Sequence, residues 1–298
     1  MFFNEPMCLD NKFELITAKK VNCFAEQNDK PESLKRVEKI TNKTVQFYNV
    51  DIRNKSALSK IFDQHKIDCV MHFAALKAVG ESCKIPLTYY QNNITGSSSL
   101  FEVMNDYSVK KLVFSSSATG CTNPYGKTKY FVEEILKDLC SSDNDWSVIL
   151  LRYFNPVGAH ESGLMGEDPS GIPNNLMPFI SQVAVGRRDK VQVFGSDYPT
   201  SDGTGVRDYI HICDLAVGHV KSLDKLLTSH SMVAFEKASA RKYTRSRCRR
   251  DGDIAASYAD AKLANCELGW KAEKDLLAMC ADTWRWQSMN PHGFQSTN

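Results

Sequence analysis

No glycine stands before Gly80 in this chain of 298 residues, so residues 1–79 hold no glycine-rich turn of the GxGxxG kind, the turn that lets backbone approach a diphosphate at a helix N-terminus. Short metal-binding pairs are missing too. The ten cysteines come no closer than 14 positions apart (Cys69 to Cys83, Cys266 to Cys280), and there is no CxxC. That spacing weakens a zinc reading and is too sparse for a disulfide-stapled scaffold, so reduced, structural thiols and no metal are expected. Apolar runs such as Val148 to Leu151 fall far short of the roughly 20 residues a bilayer crossing requires. The opening MFFNEPMCLDNKF carries Glu5 and Asp10 where a signal peptide would carry Lys or Arg and then an apolar run, so the expected location is cytoplasmic, away from membranes. An excess of one charge is absent as well. A net charge of +2 argues against a globally basic nucleic-acid binder, although Lys237 to Arg250 holds seven cations in 14 residues.

What remains is globular composition, 42% hydrophobic and 24% charged, in a length that suits one large or two modest domains. From residue 44 strand-like and helix-like segments alternate. TVQFYNVDI reads as a strand. Asn54 is placed to cap a helix with Ala57, Leu58, Ile61 and Phe62 on one face. CVMHFAAL (69–76) has the continuous apolar character of a strand buried on both sides. A long helix after Pro86, a strand over 111–118, a helix over 125–140 and a strand over 147–155 complete a β-α-β-α-β-α-β order. This predicts a doubly wound parallel sheet with ligands beyond the carboxyl ends of its strands. After Asn155 the texture turns to Gly, Pro and Asn, followed by a helix near 175–188, VQVFG, and VRDYIHI leading into a helix capped by Asp214. Trp284 and Trp286 fall on a terminal helix, where packing is the favoured role.

Tyr125 and Lys129 are four residues apart at the start of a helix and share a face. A phenol with its ordinary pKa of about 10 is a poor base at neutral pH, and a neighbouring ammonium favours the phenolate. An exposed aromatic beside a solvated lysine would give the same spacing. Context comes from Ser115-Ser116-Ser117-Ala118-Thr119 at a strand's carboxyl end, where active-site groups of open sheets project. Serine, tyrosine and lysine in this order point to removal of a hydroxyl proton while hydride leaves the same carbon for a nicotinamide.

Together HFAALKAVGES, FSSSAT, NPYGKTK, LLRYFNPVGAH, GIPNNLMP and DGTGVRDYIH closely resemble the UDP-glucose 4-epimerase family of the extended short-chain dehydrogenase/reductases, from about Pro31 to Phe294. The resemblance implies an α/β fold with a Rossmann-type doubly wound parallel sheet, incomplete at its N-terminus, and a smaller α/β substrate domain. The division would fall at 1–155 for NAD, with 1–30 atypical, and 156–298 mainly for UDP-sugar, with some segments returning to the first domain. It implies NAD-dependent conversion of UDP-galactose to UDP-glucose through a 4-keto sugar, and a homodimer. Tyr125 would be the base, Lys129 would tune it and bind the nicotinamide ribose, and Ser117 would hold the sugar hydroxyl. Asp51 and Ile52 would lie at the adenine end of NAD, Phe73 and Lys77 along it, and Tyr153 beside the nicotinamide. The sugar nucleotide would meet Ala118, Thr119, Asn155, Asn174, Asn175 and Leu176, with Val193 and Phe194 near uracil and Arg207, Arg250 and Asp253 around diphosphate and ribose. The small Ser257 would leave room for the N-acetyl group of UDP-N-acetylhexosamines. RCRRDGD matches the family's diphosphate segment, which accounts for the basic run without nucleic acid. A 4,6-dehydratase is disfavoured, since Ala118 and Thr119 stand where related dehydratases carry acidic residues.

Three departures from the family stand out. The glycine turn is absent, only seven residues separate Ser117 from Tyr125 where the family has a longer loop, and after Ser229 the YNLGTG strand and turn are missing. They support a second expectation, a noncatalytic or impaired variant that binds NAD poorly and arises from altered splicing or an erroneous gene model. They also lead to an expectation of marginal stability.

Overall fold

The computed structural model describes residues 30–118, 120–169, 171–228, 233–234 and 255–295. In chain order the helices are α1 (Glu32–Thr41), α2 (Lys55–Gln64), α3 (Val79–Lys84), α4 (Pro86–Tyr90), α5 (Gly96–Asp106), α6 (Pro124–Ser142), α7 (Leu176–Ala184), α8 (Ile212–Thr228), α9 (Lys262–Leu268) and α10 (Leu276–Met289). The strands are β1 (Val70–His72), β2 (Lys111–Ser117), β3 (Ser147–Tyr153), β4 (Asn155–Val157), β5 (Val206–Arg207), β6 (Tyr209–His211), β7 (Val233–Ala234) and β8 (Ala256–Ser257).

The main sheet runs β1-β2-β3-β7 with every pair parallel, and β4-β6 and β5-β8 form two small parallel pairs. Side-chain alternation on β2 and β3 divides the core. Leu112, Phe114, Val148 and Leu150 pack with Leu58 and Phe62 of α2, Leu100, Phe101 and Met104 of α5, and Val132 and Leu136 of α6. Val113, Ile149 and Leu151 face the other way, onto Leu223 and Leu226 of α8. Helices cover both faces, so the strands read as near-continuous apolar runs.

The Asn54 side chain accepts from the Ala57 amide at 3.0 Å, and Leu58, Ile61 and Phe62 are buried, as the sequence pattern requires. The long helix after Pro86 passes from α4 through a wide turn at Gln91–Thr95 into α5. Gly96 lies over Ile52, whose Cδ1 would be 2.6 Å from a β-carbon there.

Several expectations are corrected. Residues 44–52 form no strand beyond an isolated bridge at Phe47, and Asp51 therefore closes none. An extended segment becomes a strand only when a neighbour takes up its amides and carbonyls. For the same reason the 69–76 strand contracts to β1, and VQVFG is irregular. Asp214 does not cap a helix. It lies inside α8, where its carboxylate accepts the amides of Glu273 and Lys274 at 3.0 and 2.9 Å and its carbonyl accepts Trp270 Nε1 at 2.8 Å, tying the approach to α10 onto α8. The missing YNLGTG segment does not leave β3 bare, because Val233 and Ala234 pair with Ile149 and Leu150.

Candidate active site

Ser117 and Tyr153 are register partners at the carboxyl ends of β2 and β3. Tyr125 stands in the first turn of α6, which begins where the Asn123 side chain accepts from the Gly126 amide at 2.9 Å. The short Ser117–Tyr125 connection is spanned by one tight turn, Gly120–Thr122, with Gly120 in the left-handed region at φ 66°. That turn brings the two hydroxyls into hydrogen bonding.

Burial pushes the Tyr125 hydroxyl above its ordinary value, and the Ser117 hydrogen bond opposes the rise. Lys129, one turn on, is 4% exposed. Its Nζ donates to the Ser115 carbonyl at 2.5 Å and lies 4.7 Å from the Phe114 ring centroid. Burial holds Lys129 down to about 7, with the Glu133 carboxylate opposing that fall. In this fold the ammonium is thus occupied by Ser115, and the phenol is held above its ordinary value rather than below it. Tyr153 hydrogen-bonds the Ser115 side chain, and burial raises its hydroxyl strongly.

The rings of Phe73 and Tyr153 lie 4.9 and 5.8 Å from that of His219 on α8. The Leu215 carbonyl, 2.8 Å from His219 Nδ1, fixes the proton there, so buried Nε2 is an acceptor with no partner among the described residues. An orphan acceptor between two aromatic rings, one of them that of Tyr153, the register partner of Ser117, fits the nicotinamide end of a dinucleotide. Residues 1–79 supply no glycine for its diphosphate.

The other residues singled out from sequence are distributed as follows. Asp51 grips Arg53, with Oδ2 2.6 Å from Nη2, and Oδ1 accepts the Arg53 amide at 2.8 Å. The guanidinium holds this carboxyl below its ordinary value. Ile52 is buried under Gly96. Lys77 and Asn175 meet at Glu167, at 3.6 and 3.2 Å, a residue the sequence reading missed. Asn155 donates to the Asp208 carbonyl at 2.9 Å. Arg207 and the buried Ser257 are register partners on β5 and β8. Asn174, Leu176, Val193 and Phe194 are exposed, and Ala118 is buried. Thr119, Arg250, Asp253 and the basic run 237–250 lie outside the described residues.

Sequence reasoning also missed Glu133, Arg152 and His219. The signal for Glu133 was present, since it continues the Tyr125, Lys129 spacing by another four residues on one helix face.

Residues 11–234 match the model of the NAD dependent epimerase/dehydratase family, so the likeness begins upstream of Pro31, where the motifs placed its start. The UDP-glucose 4-epimerase of Drosophila melanogaster is 54% identical over 325 aligned residues, covering 97% of this chain and 91% of that one. The Bacillus subtilis UDP-glucose 4-epimerase is 52% identical, covering 90% and 89%. Among solved structures, UDP-glucose 4-epimerase from Bifidobacterium longum, in complex with NAD+ and UDP, superimposes with a TM-score of 0.87 at 43% identity, covering 97% of this chain and 95% of that one.

Proposed function

Since the chain belongs to the NAD dependent epimerase/dehydratase family, we propose that it converts UDP-galactose to UDP-glucose, as a cytoplasmic homodimer serving galactose metabolism. The observation that carries this reading is the Ser117–Tyr125 hydroxyl pair beside Lys129 at the strand ends. Held at its nicotinamide end by Phe73, Tyr153 and His219, NAD would supply a reversible hydride acceptor for the sugar's C4. Tyr125 receives the 4-hydroxyl proton and gives it back, and Ser117 keeps that hydroxyl in line through its hydrogen bond to the tyrosine. Lys129 binds the nicotinamide ribose once released from the Ser115 carbonyl, and its ammonium then favours the phenolate. Phe73, Tyr153 and His219 shape the nicotinamide end, with Asp51, Ile52 and Lys77 further along. Residues 1–155 make the cofactor domain, and the later chain mainly holds the nucleotide sugar through Asn155, Asn174, Asn175, Leu176, Val193, Phe194, Arg207, Arg250, Asp253 and Ser257. Guanidinium forks suit a diphosphate, and an apolar wall with amides suits uracil.

The test is formation of UDP-glucose from UDP-galactose by the full chain supplied with NAD, with Tyr125→Phe slowing it by about 100-fold or more. The absence of glycine before Gly80 favours a second reading, a noncatalytic or impaired variant that binds NAD poorly. A folded protein that retains no NAD and makes no UDP-glucose would establish that reading instead.

A further inference from the structure

Glu133 is 1% exposed, yet it carries a carboxylate, and burying an ion in this way is costly unless its partners are well placed. Its partners come from two strands. Oε1 accepts Arg152 Nε at 2.7 Å and also the Ser116 hydroxyl, while Oε2 accepts Arg152 Nη2. Ser116 and Arg152 are register partners on β2 and β3, and the next register pair is Ser117 and Tyr153. On its own helix Glu133 stands two turns beyond Tyr125 and one beyond Lys129. One carboxylate therefore joins the helix that carries the tyrosine to both strands, a single residue short of the positions where the site is built.

We infer that Glu133 is a positioning residue, clasping the ends of β2 and β3 to α6 so that the Ser117 hydroxyl meets Tyr125. Its catalytic meaning rests on the function proposed above. The geometry itself does not. Ser117 is one residue past the clasp, and the tight turn to Tyr125 leaves no slack to correct a shift of the strand end. A carboxylate with two oxygens and an Arg fork fixes direction as well as distance, which a neutral amide does less well.

The experiment uses the full chain and three variants, Glu133→Gln, Ser116→Ala and Tyr125→Phe. Ultraviolet difference titration of the cofactor-free protein, with Tyr125→Phe subtracted as blank, follows ionisation of the Tyr125 hydroxyl. Losing the Ser117 hydrogen bond removes the one contact that lowers that ionisation. The expected result is an upward shift of about half a pH unit or more in Glu133→Gln, and a smaller one of the same sign in Ser116→Ala. Turnover should fall about tenfold while KM for UDP-galactose stays within about twofold, as expected of lost alignment rather than lost binding. A titration unchanged in variants that fold and merely melt lower would overturn the inference. Should Glu133→Gln fail to fold, Ser116→Ala decides by the same criterion. An inactive parent protein would defeat the proposed function, and the titration would still decide on Glu133.

Discussion

A β-carbon built on Gly126 would lie 1.8 Å from the carbonyl oxygen of Gly120. The first turn of α6 and the tight turn before it are thus in backbone contact, and this contact allows so short a segment to link Ser117 with Tyr125. Gly126→Ala must push the two apart. The expected cost is about 1–3 kcal/mol of overpacking, with a loss of turnover because Tyr125 is the adjacent residue. Gly120→Ala meets open space and carries only the strain of its positive φ, about 1–2 kcal/mol, so its turn keeps its place. Urea midpoints and turnover of the two variants check this, and a Gly126→Ala enzyme as active as the parent would refute it.

Lys129 sits at about 7 in the fold against an ordinary 10.5. Between these values the unfolded chain binds more protons, so this group makes stability rise with pH. Its penalty is complete below about pH 7 and is gone once the pH passes about 10.5. Lys129→Met should flatten the rise in urea midpoint between about pH 7 and about pH 9. Equal slopes for parent and variant would contradict the burial argument.

Burial holds His72 at about 3 and His219 at about 4, both below the ordinary 6.5. Here the unfolded state takes up protons first as the pH falls. The stability these residues permit is whole above about pH 6.5 and is lost as the pH descends through the folded values. His219→Gln should make the acid decline shallower, as read from thermal midpoints across that range, and an unaltered decline would count against it.

Trp286 is 2% exposed, covers Gly166, and donates Nε1 to the Glu167 carbonyl at 3.3 Å; Trp284, on the same helix, is 52% exposed. Trp286→Ala should cost about 3–5 kcal/mol. Trp284→Ala should stay within about 0.5 kcal/mol. Denaturant unfolding of both variants separates them, and comparable losses would show that Trp284 is covered in solution.

Ser257 is buried beside Arg207, and its small side chain is expected to admit an N-acetyl group. UDP-N-acetylgalactosamine should be turned over by the parent and rejected by Ser257→Tyr. A parent that accepts UDP-galactose and refuses the acetylated sugar would end that expectation.

The parts of this fold that follow local rules were legible in the residues. The Asn54 cap, the buried face of Leu58, Ile61 and Phe62, and the apolar runs of β2 and β3 each depend on neighbours a few positions away. Residues 44–52 and VQVFG have strand composition and form none, since a ladder needs a partner that composition does not supply. Asp214 looked like a cap because a helix begins beside it, yet its acceptors serve amides about sixty residues on. At the site, Ser117, Tyr125 and Lys129 carried their own signal. Glu133 continued the same four-residue spacing, but its role could not be read there, because its partners Arg152 and Ser116 meet it only once the sheet has formed.

Among the described residues every ladder of the main sheet is parallel, which bears on how the chain is made. Val70 must wait for Leu112, Lys111 for Ser147, and Ile149 for Val233. No hairpin joins these described strands, so each emerges from the ribosome with an unpaired edge until a whole helix and the next of them have followed. Through that interval β2 and β3, with their apolar runs Leu112–Phe114 and Val148–Leu151, are the places where newly made chains can stick to one another. The stretch of synthesis between Lys111 and Ala234 is therefore the interval in which the edges of β2 and β3 stand open.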